Sequence, residues 1–574
     1  MSGTRTRPMS GMENFLALAS RWRSTKDLFL LLILLTVFLC YFHLGSLIRS
    51  TNYKALEAEG RGPSLAEDIA RLLNNTAGRA HESLKGTGVL LRVLQAIEDK
   101  ALPKKAFDSV VMIGDAADVP DPTVNAFQQL NIKVLQRFEM PKGRNASNAL
   151  YVCLSASDDP DHPCFYESND RTVHRKILGY PSVMHLLGRK NYLCNTMNEL
   201  RKFTVQYTEL GELPLCFVLP DQLQQFRDVS EALAPTTSWI VKPIGDRQSA
   251  KPLDHGATAT TRARRQASTF HMLHRRAVAQ EAVNNPFVVQ GRTLSARVFV
   301  LLTSLTPLRA FVHRRGLVFH KLTSKTLRGI EYFGSPGRTW SLDQLWDYVR
   351  RRNGPQDIAT FWTKVERQIL GILLVVETEI VSQTFVQNST NNAEVFHRCP
   401  SCFQLLSVDF TLSSSLVPYM THVNVQPVLH PSRSKTANAV KSAILSDMAR
   451  ILTSQMRVSR DVATALEEYG AKIGLMYHFC RLSHDICLTE EDLRYLLDTR
   501  RQYRTRGGFH QIYPSTASGH LTNFLTQLNQ RVHHVMFSPS SRTNEYDVSK
   551  QHLTPQLHPL LLKMESEYET LDRQ

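Results

Sequence analysis

Cys402–Pro427 reads CFQLLSVDFTLSSSLVPYMTHVNVQP, two apolar runs joined by a serine-rich turn. Apolar, β-branched and aromatic residues dominate both runs, and the turn between them is short, so they read as neighbouring strands. Asp409 interrupts the first run and Asn424 the second. A carboxylate and an amide oxygen facing one cavity could hold magnesium, which takes a few hard oxygens and completes its shell with water and phosphate. Each position has an equally plain structural reading, as a polar residue satisfied within a sheet.

Upstream, TTSWIVKPIGD sets Lys242 at the end of an apolar strand. An ammonium there could lie against nucleotide phosphates as a compact charge, or be an ordinary salt-bridged lysine. RVFVLLTS and RAFVHRRGLV alternate like antiparallel strands around Thr306-Pro307, so Arg297 and Arg309 project from a sheet. Structural ion pairing explains such arginines as readily as phosphate binding. Downstream, TANAVKSAILSDMARIL has helical periodicity.

Taken in order, YPSVMHLLGRKNYLCNTM, LPLCFVLPDQLQQF, TTSWIVKPIGD, GRTLSARVFVLLTSLTPLRAFVHRRGLV and the Cys402–Pro427 stretch resemble the tubulin tyrosine ligase-like family over about 270 residues, Tyr180 to Leu452. The resemblance implies an ATP-grasp fold of mixed α/β class and ATP-dependent ligation of an amino acid, glutamate in the first instance, to a protein carboxylate. ATP would phosphorylate the carboxylate, and an amine would attack the acyl phosphate. Carried over residue by residue, the family pattern makes Lys242 an ATP-phosphate contact, Asp409 and Asn424 ligands of Mg2+, and Arg297 the catalytic contact to phosphate or acyl phosphate. Arg189 and Lys190 match the RK of an RKD-type signature, and Gln290 falls near the adenine-contacting hinge.

The departures are chemical. Where the family has a glycine-rich loop after the strand lysine, IGDRQSAKPLDHG offers only Gly245 nearby. Ser295 replaces the Asp of a GRKFDLR-type segment, His422 replaces the Glu two residues before the magnesium-binding Asn, Gln404 replaces the Glu of FELLG, and an EYI-type hinge after Gln290 is deleted. Each exchanged carboxylate removes counter-charge for Mg-ATP. A catalytically inactive ATP-grasp module acting as a binding scaffold is therefore the competing reading.

The flanks complete the organisation. Residues 106–235 read as an N-terminal α/β part, opening with the buried strand Ser109–Gly114, a helix at Val124–Leu130 and a strand in NIKVLQRF; residues 236–455 are the ATP-grasp core. Residues 456–574 carry amphipathic stretches, among them EEDLRYLLDTRRQYRTR, that predict a helical C-terminal extension. Residues 49–105 read as a helical stalk.

Leu28–Ile48 is a charge-free apolar run of 21 residues. As a helix it reaches about 31 Å, enough to cross a bilayer. It predicts a transmembrane signal anchor behind a cytosolic tail, residues 1–27, whose arginines favour a type II topology on an endomembrane or the cell surface. Three sequons, at Asn74, Asn145 and Asn388, and eight of nine cysteines beyond the anchor agree with a lumenal C-terminal domain. Cys153 with Cys164, and Cys480 with Cys487, are spaced to close locally, although free thiols fit equally. His397, Cys399 and Cys402 resemble half a zinc site with no second pair. The net charge of +16 suits an acidic protein substrate, tubulin if the domain is cytosolic or a secretory-pathway protein if it is lumenal. The basic residues are dispersed and no nucleic-acid reader motif accompanies them.

Overall fold

Strand β1 (Ser109–Ile113) is buried at four of its five residues, as expected of a strand covered on both faces. It is followed by helix α1 (Asp121–Gln128) and strands β2 (Lys133–Gln136), β3 (Ala149–Cys153) and β4 (His174–Leu178), all paired parallel. The computed structural model describes residues 107–113, 121–136, 149–154, 162, 164, 174–204, 213–233, 236–244, 251–253, 276–305, 307–322, 339–352, 356–388, 401–454, 490–515 and 524.

Helices α2 (Pro181–Gly188) and α3 (Lys190–Thr204) come next, and Pro181 suits a first helical turn because its missing N–H would have no partner there. Strand β5 (Cys216–Leu219), helix α4 (Leu223–Ala232), and strands β6 (Trp239–Pro243), β7 (Lys251–Leu253) and β8 (Ala277–Glu281) then form a separate antiparallel sheet of order β5-β8-β6-β7. Its core is Leu219, Phe226, Trp239, Val241, Ala277 and Ala279.

The chain then returns to the first sheet with β9 (Val288–Val289), β10 (Arg292–Leu305), β11 (Leu308–His313), β12 (Leu317–Leu322) and β13 (Thr339–Ser341). Helices α5 (Leu342–Arg352) and α6 (Gln356–Asn388) precede β14 (Cys402–Leu412) and β15 (Pro418–Asn424), and α7 (Lys435–Thr453), α8 (Glu490–Thr505) and β16 (Phe509–Tyr513) complete the series. The sheet reaches twelve strands, parallel from β2 to β14 and antiparallel beyond. The strand pair read from Cys402–Pro427 is present, in antiparallel register with a bulge beside Asp409.

Helix α7 starts at Ser434, whose side chain accepts from the Ala437 N–H at 3.2 Å. Its buried face, Val440, Ile444, Leu445, Met448, Ile451 and Leu452, packs on Phe299, Leu301, Phe403 and Leu405 of the sheet. Full burial of each such side chain contributes roughly 1.5–3 kcal/mol.

The C-terminal segment contributes α8 and also β16, which pairs with β11 and enlarges the sheet. Arg309 is the anchor of this attachment. It does not project into solvent; it is 3% exposed, its Nε donates to Thr303 Oγ1 at 2.8 Å, and its Nη1 donates to Tyr495 O and Thr499 Oγ1 of α8.

Two disulfides are described. Cys153–Cys164 closes locally, and Cys194–Cys216 joins α3 to β5. Cys402 is also disulfide-bonded, which removes it from any zinc site. Among the described residues no helix is long and apolar enough to cross a membrane. Leu28–Ile48, the stalk, Cys480–Cys487, Asn74 and Asn145 lie outside the described residues, and Asn388 is the last residue of α6.

Candidate functional site

Where the small sheet meets β14 and β15, four of the expected side chains come together. Lys242 lies near the end of β6 and donates to the Gln280 side chain on the adjacent strand β8 and, at 2.7 Å, to the carbonyl of Thr421 on β15. That second bond ties the two sheets. Lys190, at the start of α3, donates to the carbonyl of Pro243, one residue beyond Lys242, at 2.7 Å. Burial lowers the Lys190 pKa.

Arg297 and Asp409 are register partners on β10 and β14. The guanidinium grips the carboxylate in bidentate fashion, Nε to Oδ1 at 2.7 Å and Nη2 to Oδ2 at 2.9 Å, and lies 4.8 Å from the centre of the Phe319 ring. His422 stands opposite Asp409 on β15. Burial lowers its pKa to about 4, assisted by Lys242, Arg297 and Lys190 and opposed by Asp409, so the imidazole is neutral at pH 7. Three cations and one carboxylate therefore lie around His422.

Asn424 is a register step from His422 and a diagonal neighbour of Asp409 on the same side of the sheet. Its Oδ1 accepts the Gln426 N–H at 3.0 Å. Of the other two expected residues, Arg189 adjoins Lys190 in the chain and Gln290 lies apart. Arg189 is exposed at the junction of α2 and α3. Gln290 is exposed in the two-residue turn between β9 and β10, with φ 51° followed by Gly291 at 71°. Both central φ values are positive, the signature of a type I′ hairpin. Arg292, the first residue of β10, is five residues from Arg297, about 17 Å along the strand, so the turn is remote from the cluster.

The glutamine beside Lys242 is Gln280, which is 4% exposed. Its signal was present in AVAQE, a polar residue in a short apolar strand. Gln404 acts as a structural link. Its Oε1 accepts the Tyr180 N–H at 3.1 Å, and its amide donates to the Val425 carbonyl, joining β14 to α2 and to the segment after β15.

The donor set does not fit a magnesium ion. The sole carboxylate is held bidentate by Arg297, the amide oxygen of Asn424 already accepts a backbone N–H, and no group of three or more His, Cys, Asp or Glu side chains that could hold a metal occurs among the described residues. It does fit an anion. Beside the cations, the hydroxyls of Ser295 and Ser407 are buried on the same side of β10 and β14 with no hydrogen-bond partner among the described residues.

These features define a mixed α/β protein with a cationic cluster at the meeting of two sheets. The chain belongs to the tubulin-tyrosine ligase family: the family model matches residues 167–325 and 320–460, just over half of its length. It is similar to tubulin monoglutamylase TTLL4 of Mus musculus, 24% identical over 62% of this chain and 33% of that protein. It is also similar to the probable tubulin polyglutamylase TTLL9 of Rattus norvegicus, 23% identical over 54% of this chain and 78% of that protein. The chain thus spans about a third of the length of the monoglutamylase it matches. Among solved structures, the C-terminal domain of K. lactis Pby1, an ATP-grasp enzyme, aligns with TM-score 0.41 and 17% identity over 61% of this chain and 96% of that domain, a likeness too low to carry the fold.

Proposed function

We propose that the cluster binds the phosphates of ATP and that the protein ligates an amino acid, glutamate on the precedent of its relatives, to a protein carboxylate. The observation that carries this reading is the convergence of Lys190, Lys242 and Arg297 around Asp409 and His422. Lys242 and Arg297 would meet the transferred phosphoryl group, where fixed positive charge stabilises the transition state. Lys190 would hold the end of β6 in place and add charge beside it. Gln280, rather than Gln290, is the glutamine positioned to accompany the nucleotide, and the family's ATP-grasp fold is the scaffold this implies. Magnesium, which the family pairs with ATP, is poorly served by these donors.

The test is ATP-dependent incorporation of labelled glutamate into protein by the full chain, compared with Lys242→Met. Incorporation by the wild type, abolished in a folded variant, supports ligation. No incorporation into secretory-pathway extract or tubulin refutes it. The second reading, an inactive nucleotide-binding scaffold, is favoured by the Arg297–Asp409 pair, which occupies the carboxylate that catalysis would need.

We further propose that Leu28–Ile48 anchors the chain with the ligase-like domain in an oxidising compartment, which disulfide bonding at Cys153, Cys164, Cys194, Cys216 and Cys402 supports. The acceptor would then be a secretory-pathway protein. A glycosidase-sensitive mass shift, lost when Asn145 and Asn388 are changed, tests this orientation; its absence from the wild type counts against it.

A further inference from the structure

We propose that the cluster binds a nucleoside triphosphate without a divalent metal, with Lys190, Lys242 and Arg297 taking the metal's place as counter-charge; this rests on the reading of the cluster as the ATP site. A metal that took Asp409 would have to compete with Arg297, which already donates two short charge-assisted bonds, at 2.7 and 2.9 Å, to the same carboxylate. It would also find His422 where a second carboxylate would help, and Asn424 bonded to the Gln426 N–H.

A triphosphate meets the opposite situation. The cluster carries three positive side chains against one negative one, so it is electrostatically unfinished until an anion arrives. Arg297 is 23% exposed at its side chain, and its Nη1 has no partner among the described residues. Lys190 commits one of its three ammonium hydrogens, to Pro243 O. The Ser295 and Ser407 hydroxyls, 1% and 0% exposed and without partners among the described residues, lie to either side of the Arg297–Asp409 pair along β10 and β14. Ser295 holds the position of a family carboxylate, so the exchange removes a negative charge from the cluster.

The experiment is a calorimetric titration of the full chain with ATP in excess EDTA and again in excess magnesium, for the wild type, Lys242→Met, Lys190→Met and Asp409→Asn, each checked for cooperative unfolding. The inference requires dissociation constants within about threefold of each other in the two buffers, and a loss of about tenfold or more in at least one lysine variant. Asp409→Asn must bind ATP in EDTA at least as tightly as the wild type, because the change removes the cluster's negative charge. Binding in magnesium but not in EDTA, or binding abolished by Asp409→Asn, overturns the inference and leaves the ATP reading standing. No binding by folded wild-type protein in either buffer overturns both.

Discussion

Replacing Arg309 with methionine will detach the C-terminal segment from the sheet. The guanidinium makes three hydrogen bonds at 2.8 to 3.1 Å, to Thr303 Oγ1, Tyr495 O and Thr499 Oγ1, and its carbon centre lies 4.8 Å from the Tyr495 ring centre. Bonds to a charged donor contribute about 1.5–3 kcal/mol each and the ring contact about 1–2 kcal/mol. Against this stand the desolvation of a fully buried cation and its repulsion of Lys176, whose pKa is lowered to about 8 by burial and by Arg309, with Asp498 opposing. A net loss of about 3 kcal/mol remains. The assay is urea unfolding joined to limited proteolysis, in which cleavage between α8 and β16 should precede global unfolding. Arg309→Lys should recover less than half of the loss, since a single ammonium cannot reproduce the planar fork. A change below about 1 kcal/mol, with the C-terminal segment still protected, would refute the claim that Arg309 holds the extension.

Asp447 accepts the Gly508 N–H at 2.8 Å and has His313 Nε2 at 3.2 Å; these bonds outweigh burial and hold its pKa below the usual carboxylate value. Its stabilisation is therefore complete above that value and lost as pH falls through the lower folded one, so Asp447→Asn should cost about 1–2 kcal/mol at pH 7 and progressively less below about pH 4 in urea midpoints. Exchanging both Cys194 and Cys216 for alanine removes a cross-link spanning 22 residues. Thermal unfolding should show a loss of about 3 kcal/mol, and an unchanged midpoint would contradict the bond's role. A Cβ on Gly316 would lie 2.3 Å from the Arg297 carbonyl oxygen and 2.6 Å from Leu342 Cδ1. Gly316→Ala should therefore destabilise by about 2 kcal/mol in denaturant titration, and a neutral result would mean that the turn before β12 can shift.

The parts of this fold written in local periodicity were legible. Cys402–Pro427 as paired strands, the hairpin around Thr306-Pro307, the helix at Lys435–Thr453 and the short-range pair Cys153–Cys164 all follow from alternation, helical spacing or proximity in the chain. What escaped depends on contacts distant in sequence. Cys194 and Cys216 meet only because α3 packs beside β5, and Gln280 reaches Lys242 only through the pairing of β6 with β8, which the linear order does not show. Arg309 alternates like a surface residue, yet α8, some 190 residues later, covers it. The pairing of Arg297 with Asp409 follows from strand register, which the two separate motifs did not specify.

The account turns on phosphate entering the cluster of Lys190, Lys242 and Arg297. The most direct measurement is a crystal structure of the full chain with ATPγS, located by the anomalous signal of its sulfur. The account predicts the thiophosphate within hydrogen-bonding distance of Lys242 Nζ or the Arg297 guanidinium. A nucleotide bound elsewhere, with Arg297 and Asp409 still paired and no phosphate beside them, would contradict it.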